Sequence, residues 1–188
     1  MAKAPTSYIA TAGAARTRTA DSLSVAFPAR PQALTAYVRF VQGHVQPTTQ
    51  VDAASIRLFQ IGGATGERFL AYYNFAGTGW GVQHVSGAET ARTVTVAATA
   101  AVGALVEVVA WLYADGSVNL SVSVNAATAA TGTQSATAAL GPQWGASALR
   151  LGSLSGTHGV AILPLRDLLV IRGIHTLATM RTRIGLTP

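Results

Sequence analysis

The most regular stretch of the chain is residues 105–125, LVEVVAWLYADGSVNLSVSVN, where apolar and polar positions alternate one for one through Val118, Asn119, Leu120, Ser121, Val122, Ser123 and Val124. A period of two with Val and Leu on one side predicts a half-buried antiparallel strand. Asp115-Gly116 stands just before it and supplies the positive φ that a hairpin turn requires. The preceding strand is different in kind. Val106, Val108, Ala110 and Leu112 fill one face, Leu105, Val109, Trp111 and Tyr113 fill the other, and Glu107 is its only polar residue. A strand apolar on both faces must be covered on both. Two registers are open: a two-residue Asp-Gly turn puts Trp111 and Tyr113 on the face of Val118 and Leu120, and a bulged three-residue turn puts Ala110 and Leu112 there instead.

The same period predicts strands over residues 22–27, 34–42, 55–61, 68–75, 80–85 and 93–97. Phe69 and Tyr73 share one side of the fourth of these and Tyr72 takes the other. Beyond the hairpin, Leu149, Leu151 and Leu154 mark another strand, and residues 160–172 a long one broken at Pro164. Residues 7–9 suit a first edge strand, after a flexible lead over residues 1–6. Residues 126–139, nearly all Ala, Thr and Ser with one Gly and one Gln, fit either a loose strand plus loop or a small-residue contact surface. Thr176 is an N-cap for a short helix over 177–184, without the reciprocal capping box because position 179 is Thr. About ten to twelve short strands with Gly- or Pro-marked turns and almost no helix predict a β-sandwich or barrel, a single domain over residues 7–188.

Composition narrows the class. Charged residues are 11% of the chain, against about 25% in ordinary globular domains, which suits a neutral, polar surface that packs against neighbours. Cysteine is absent, so disulfides, thiolate metal sites and Cys nucleophiles are excluded. The first twenty residues lack the apolar run of a secretion signal, and no run reaches the ~18 apolar residues of a membrane helix. The net charge is +6, and all of the basic residues but Lys3 are Arg. They stand singly, as at Arg39, Arg57, Arg68, Arg92 and Arg150, a pattern of solvated or interface arginines rather than of nucleic-acid readout.

Candidate chemistry is sparse. A glycosidase needs two carboxylates, roughly 5 Å apart in the retaining case and further apart in the inverting one, but the seven acids (Asp21, Asp52, Glu67, Glu89, Glu107, Asp115 and Asp167) are dispersed and no predicted strand carries two. Glu107, the only one inside a well-marked strand, reads as an edge-of-core residue paired with an Arg. Gln83-His84 beside Tyr72, Tyr73 and Trp80 is similar to the Gln/His/Tyr sets with which polysaccharide lyases abstract a proton, and Arg68 is positioned in sequence to neutralise a substrate carboxylate; the competing role for His84 is an ordinary half-buried residue. His44, His84, His158 and His175 are isolated, and Asp115 is explained by turn chemistry, so no metal site and no cofactor are expected. Residues 62–66 are Gly-rich without a following helix or Lys, a hairpin turn rather than a phosphate cradle. Catalytic residues are therefore not assigned. The candidates for sugar stacking are Tyr73, Trp80 and Trp144, with His84 beside them, and their competing role is to fill the core.

Two passages carry a family resemblance. SYIATAGAARTRTAD, residues 7–21, resembles the opening passage of concanavalin A-like, laminin-G-like jelly-roll domains of bacteriophage virion proteins, with Thr19 where alanine is usual. LRDLLVIRGIHTLATMR, residues 165–181, is similar to the closing strand and short helix of the same domains, and YADGSV, residues 113–118, occupies the place of their central hairpin. The resemblance spans residues 5–183. It implies an all-β, two-sheet antiparallel jelly-roll sandwich with one sheet curved and one short C-terminal helix. It also implies a non-enzymatic virion structural protein, made in the host cytoplasm, that decorates or reinforces a capsid or tail surface. Its expected partners are other virion proteins and further copies of itself, with Arg16 and Arg18 as contacts to acidic lattice proteins. The alternative it implies is a carbohydrate-binding, host-recognition module of a fibre or tail; a glycan-degrading enzyme relying on His84 or Glu107 comes third.

Overall fold

The computed structural model describes residues 23–26, 33–43, 56–62, 67–74, 79–86, 90–138, 148–151 and 165–186. The predicted strand at residues 7–9 and the lead before it lie outside these. Among these described residues are eleven strands: β1 (Leu23–Ala26), β2 (Leu34–Val41), β3 (Ile56–Gly62), β4 (Arg68–Asn74), β5 (Gly79–Val85), β6 (Arg92–Ala97), β7 (Leu105–Leu112), β8 (Val118–Val124), β9 (Ala130–Thr131), β10 (Ala148–Leu151) and β11 (Leu165–Arg172), followed by helix α1 (Leu177–Arg183). They make a six-stranded sheet in the order β1-β10-β3-β4-β5-β6 and a five-stranded sheet in the order β11-β2-β7-β8-β9, every described pairing antiparallel. The molecule is an all-β sandwich of two sheets with one short helix, as expected.

Between the sheets lies one continuous core. Phe40 of β2 meets Trp80 of β5 at a ring separation of 5.4 Å, Tyr73 of β4 meets the same Trp80 edge-on at 4.9 Å, and Phe59 packs on Phe69 at 5.6 Å. Tilted and edge contacts of this kind are the favoured geometries for aromatic pairs. The apolar row of β8 joins them, because Val118, Leu120 and Val122 are all buried there.

The central hairpin takes the longer of its two possible turns. Leu112 pairs with Val118 and Ala110 with Leu120, so the inward faces of β7 and β8 are both aliphatic. Tyr113 N donates to Ser117 O at 2.9 Å and Gly116 N to Tyr113 O at 3.0 Å, which leaves Ala114, Asp115 and Gly116 as the loop. Gly116 is at φ +75°, and Asp115 Oδ1 accepts from the Ser117 amide at 3.0 Å and hydroxyl at 2.6 Å. A three-residue loop closed by a left-handed glycine is the second commonest hairpin solution. Those two bonds from Ser117, the hydroxyl's first, hold the Asp115 carboxyl below its ordinary pKa.

Residues 126–138 resolve into a strap. After β9 the chain keeps to the edge of β8: Gly132 N donates to Leu120 O, Ser135 N to Val118 O, and Ala138 N to Asp115 O, while the Val118 amide donates to Ser135 Oγ. The strap also passes close to the edge of the opposite sheet, since a Cβ at Gly132 would lie 2.3 Å from Val94 Cγ1. Arg92 Nε reaches Thr137 O at 3.0 Å from that side. The small residues of this stretch thus let one segment seal the side of the sandwich between β6 and β8.

The second apolar face of β7 is covered by α1. Met180 is fully buried against Tyr37 and Val109, with Trp111, Leu169, Ile171, Leu177 and Ile184 around them. Thr176 caps the helix, its side chain accepting from Thr179 N at 3.2 Å. Trp111 Nε1 donates to His175 O at 2.7 Å, and Thr35 Oγ1 both donates to Gly173 O and accepts from His175 N. At the centre of this layer Glu107, 3% exposed, accepts from Tyr37 OH at 2.7 Å and from Arg181 through Nε at 3.0 Å and through Nη2. Burial pushes its carboxyl up, but the bonds from Arg181 and Tyr37 and the charge of Arg181 outweigh that, so it titrates below its ordinary value. The same burial, and the bond to Glu107, drive the Tyr37 hydroxyl far above the usual phenol range. The expected pairing of Glu107 with an Arg is found, and Arg181 is the partner.

Candidate functional site

Each strand of the six-stranded sheet sends alternate residues inward and outward. On β4 and β5 the inward set is Phe69, Ala71, Tyr73, Trp80, Val82 and His84, matched in register as Phe69 with His84, Ala71 with Val82 and Tyr73 with Trp80. This overturns three of the candidate residues. Tyr73 is 3% exposed, Trp80 2% and His84 0%. A ring stacks on a sugar only through an exposed face, and these rings face the opposite sheet. Their parity with Phe69 and Val82 decides it.

His84 has a structural task. Its Nδ1 lies 2.8 Å from Gly116 O, where it donates to a carbonyl of the hairpin loop in the other sheet. The Gln83–His84 set is likewise divided, with Gln83 outside the sheet and His84 inside, so the two do not converge on one substrate atom. Trp144, Arg16 and Arg18 lie outside the described residues. Among the described residues no cluster of three His, Asp or Glu is present that would hold a metal ion.

The outward parity carries a different set, to which Tyr72, Gln83 and Arg68 of the lyase-like group belong. In register, Gln60 of β3 faces Leu70 of β4, Leu70 faces Gln83 of β5, and Gln83 faces Thr93 of β6. One row along, Arg57 faces Tyr72, Tyr72 faces Gly81, and Gly81 faces Thr95. On the other flank Arg68 stands opposite Gly62. Hydrogen bonds run across these rows: Arg57 Nη1 donates to Gln60 Oε1 at 2.5 Å, Arg68 Nη2 to Gln83 Oε1 at 3.3 Å, and Gln83 Nε2 to Thr93 Oγ1 at 3.4 Å. Arg57, Arg68, Tyr72 and Gln83 are each part exposed, and Thr93 and Thr95 are exposed.

Gly81 shapes this face. A Cβ there would fall 2.4 Å from Tyr72 Cζ and 2.7 Å from its hydroxyl oxygen. The Tyr72 ring therefore lies across the backbone of β5 in the space that a side chain at position 81 would take. Burial raises the Tyr72 hydroxyl pKa. The result is a phenol laid along a sheet, with an arginine on one side and a threonine row on the other. The signal for it in the sequence was the parity of Tyr72 with Arg68 and of Gly81 with Gln83.

No family profile and no curated protein matches the chain. Among solved structures it is similar to a native heptameric SAP-like pentraxin from Limulus polyphemus, with a TM-score of 0.49 at 13% identity over 79% of this chain and 68% of that one. It is similar to an alginate lyase from Pseudomonas aeruginosa, with a TM-score of 0.41 at 16% identity over 78% and 68%. It is also similar to a functionally unknown protein from Saccharomyces cerevisiae, with a TM-score of 0.38 at 10% identity over 85% and 92%. At these identities the likeness concerns the jelly-roll-type sandwich alone.

Proposed function

We propose that the chain is a non-enzymatic saccharide-binding sandwich whose working surface is the outer face of the six-stranded sheet. The observation that carries this is the Tyr72 ring laid over Gly81 between hydrogen-bonding side chains. A part-exposed aromatic plane with amide and hydroxyl groups beside it matches a pyranose, which presents an apolar C–H face and a rim of hydroxyls. Among the described residues Glu107 and Asp167 are paired with Arg181 and Arg39, Asp115 holds a turn, and His84 ties a loop. Amide chemical-shift mapping with a panel of neutral and acidic oligosaccharides tests the reading. Shifts are expected at Tyr72, Gly81, Gln83, Thr93 and Thr95, with affinity reduced about tenfold in Tyr72→Ala; no shifts across the panel, or shifts confined to the other sheet, would sink it.

The second reading is the virion decoration role that the sequence resemblance implies. Its support is a set of exposed apolar side chains, Val102, Leu165 and Ile174, in the β6–β7 turn and at the two ends of β11. Burial of each against a neighbouring subunit would stabilise an assembly by roughly 25 cal/mol per Å² of apolar surface. This reading expects the protein in purified particles at many copies each, by quantitative mass spectrometry; trace amounts would remove it.

A further inference from the structure

Helix α1 is held to the five-stranded sheet at two places of unlike chemistry. At its base Gly173 N donates to Ala33 O at 2.9 Å, Thr35 Oγ1 donates to Gly173 O and accepts from His175 N, and Trp111 Nε1 donates to His175 O. Those bonds join uncharged groups, and the His175 ring bonds to Arg172 O. At the far end Met180 is fully buried against Tyr37 and Val109, and the Arg181 guanidinium meets the Glu107 carboxylate through Nε and Nη2. The helix has seven residues and no acid in its first turn, and helices shorter than about 12 residues are marginal in water. Its order therefore comes from docking, and part of that docking depends on charge. Glu107 is faced by Tyr37 and Arg39 from β2, by Asp167 of β11 beyond Arg39, by Ser123 from β8 and by Arg181 from α1. Of these, Arg181 alone leaves with the helix, while Arg39 and Asp167 keep each other.

We infer that α1 is an acid-sensitive latch: residues 176–186 open on their own while the sandwich stays folded, and they open more readily once Glu107 takes up a proton. With α1 docked, burial raises the Glu107 carboxyl, but the bonds from Arg181 and Tyr37 outweigh that and keep it below its ordinary 4.5. With α1 lifted, both the burial and the bonds from Arg181 are gone, and the carboxyl returns toward its ordinary value. The lifted form therefore takes up the proton first as pH falls, and the docked form loses its advantage from there down through the docked value. Each unit between the two values is a tenfold change in the opening equilibrium. Opening bares the apolar side chains of Val109, Leu169 and Ile171, which pack with Met180 in the docked form.

Amide hydrogen exchange of the whole chain tests the inference, read as protection factors so that the intrinsic effect of pH on exchange cancels. At about pH 6 the Met180 and Ile184 amides are expected to be protected about tenfold less, or weaker still, than those of β7. Between about pH 6 and about pH 3.5 their protection is expected to fall about tenfold further relative to β7. Arg181→Met is expected to widen the gap at about pH 6 and to remove its acid dependence. His175 is still present in that variant, so an acid effect on the gap that survives there overturns the inference. Should Arg181→Met fail to fold, Glu107→Gln, which keeps an acceptor for Tyr37, is expected to give the same pH-independent gap. Equal protection of α1 and β7 at both pH values means that the helix opens only with the whole sandwich, and it overturns the inference. A gap that acid leaves unchanged in the unaltered protein does the same.

Discussion

Replacing Arg181 by Met is expected to destabilise the protein by about 3 kcal/mol, because it leaves the Glu107 carboxylate buried with one neutral donor, the Tyr37 hydroxyl. The value of the pair itself is small, since desolvation offsets most of the attraction; the cost arises from orphaning one charge. A second substitution follows from that distinction. Glu107→Gln in the Arg181→Met background removes the orphan charge and keeps an acceptor for Tyr37, so the double variant is expected to regain about 2 kcal/mol of the loss. Urea unfolding of the three proteins at neutral pH measures this; a double variant no more stable than the single one refutes it.

Acid titration gives the same argument a pH dependence. The Glu107 carboxyl titrates below its ordinary 4.5 in the folded protein. As pH falls below 4.5 the unfolded chain takes up the proton first, so stability is lost from there down through the folded pKa. The contribution is complete above about pH 5. In Arg181→Met the pair is absent and that acid-side loss is expected to shrink or reverse, read as the pH slope of the urea midpoint between about pH 3 and 5.

Gly116→Ala is the other change with a large expected effect. The position is at φ +75°, and a Cβ there would lie 1.8 Å from Ala138 O. Conformational strain alone costs about 1–2 kcal/mol for a non-glycine residue in this region. The collision adds to it, because Ala138 belongs to the strap and its oxygen is backbone. Gly103 is the control: its φ is +85°, yet nothing lies within 4 Å of its Cβ position. Gly103→Ala therefore bears the backbone strain only. Gly116→Ala is expected to lower the melting temperature by about 6–12 °C, on a loss of about 3 kcal/mol, and Gly103→Ala by roughly half that or less. Amide exchange should locate the difference, with Ser135 and Ala138 losing protection ahead of β7. Equal shifts for the two variants would mean that the strap yields freely and the contact is unimportant.

Most of the described strands were legible because they are short and alternate or, in β7, run apolar, with turn residues between them, and the cap at Thr176 was legible because it is local. The hairpin register was not. It depends on whether Asp115 bonds to Ser117 and Gly116 turns left-handed, and both turn types use the same two residues. The cover over β7 was foreseen as a need; its identity was not, since Tyr37, Glu107 and Arg181 meet across separations of 70 and 74 residues. On β4 and β5 the expected sugar-stacking residues face the core. Aromatic richness pointed to Tyr73, Trp80 and His84, although Tyr73 shares parity with Phe69, and a strand's apolar parity faces the core. Tyr72 was expected on the other side of the strand. It was the outward residue, and Gly81 is what makes room for it.

Helix α1 also gives the molecule two unlike sides. One sheet turns its outer surface, with Trp111 and Val109, toward the chain's own C-terminal segment, which covers it with Met180 and pairs Arg181 with Glu107. The other turns Arg57, Tyr72, Gln83, Thr93 and Thr95 outward, each at least part exposed, beside the buried Gln60 and Leu70, and face-to-face sheets stand about 10 Å apart. Ala178 and Thr182, exposed on the helix, are therefore on the opposite side of the sandwich from Tyr72 and Arg57. A dye or surface tether attached there holds the protein by its back and presents the polar sheet outward.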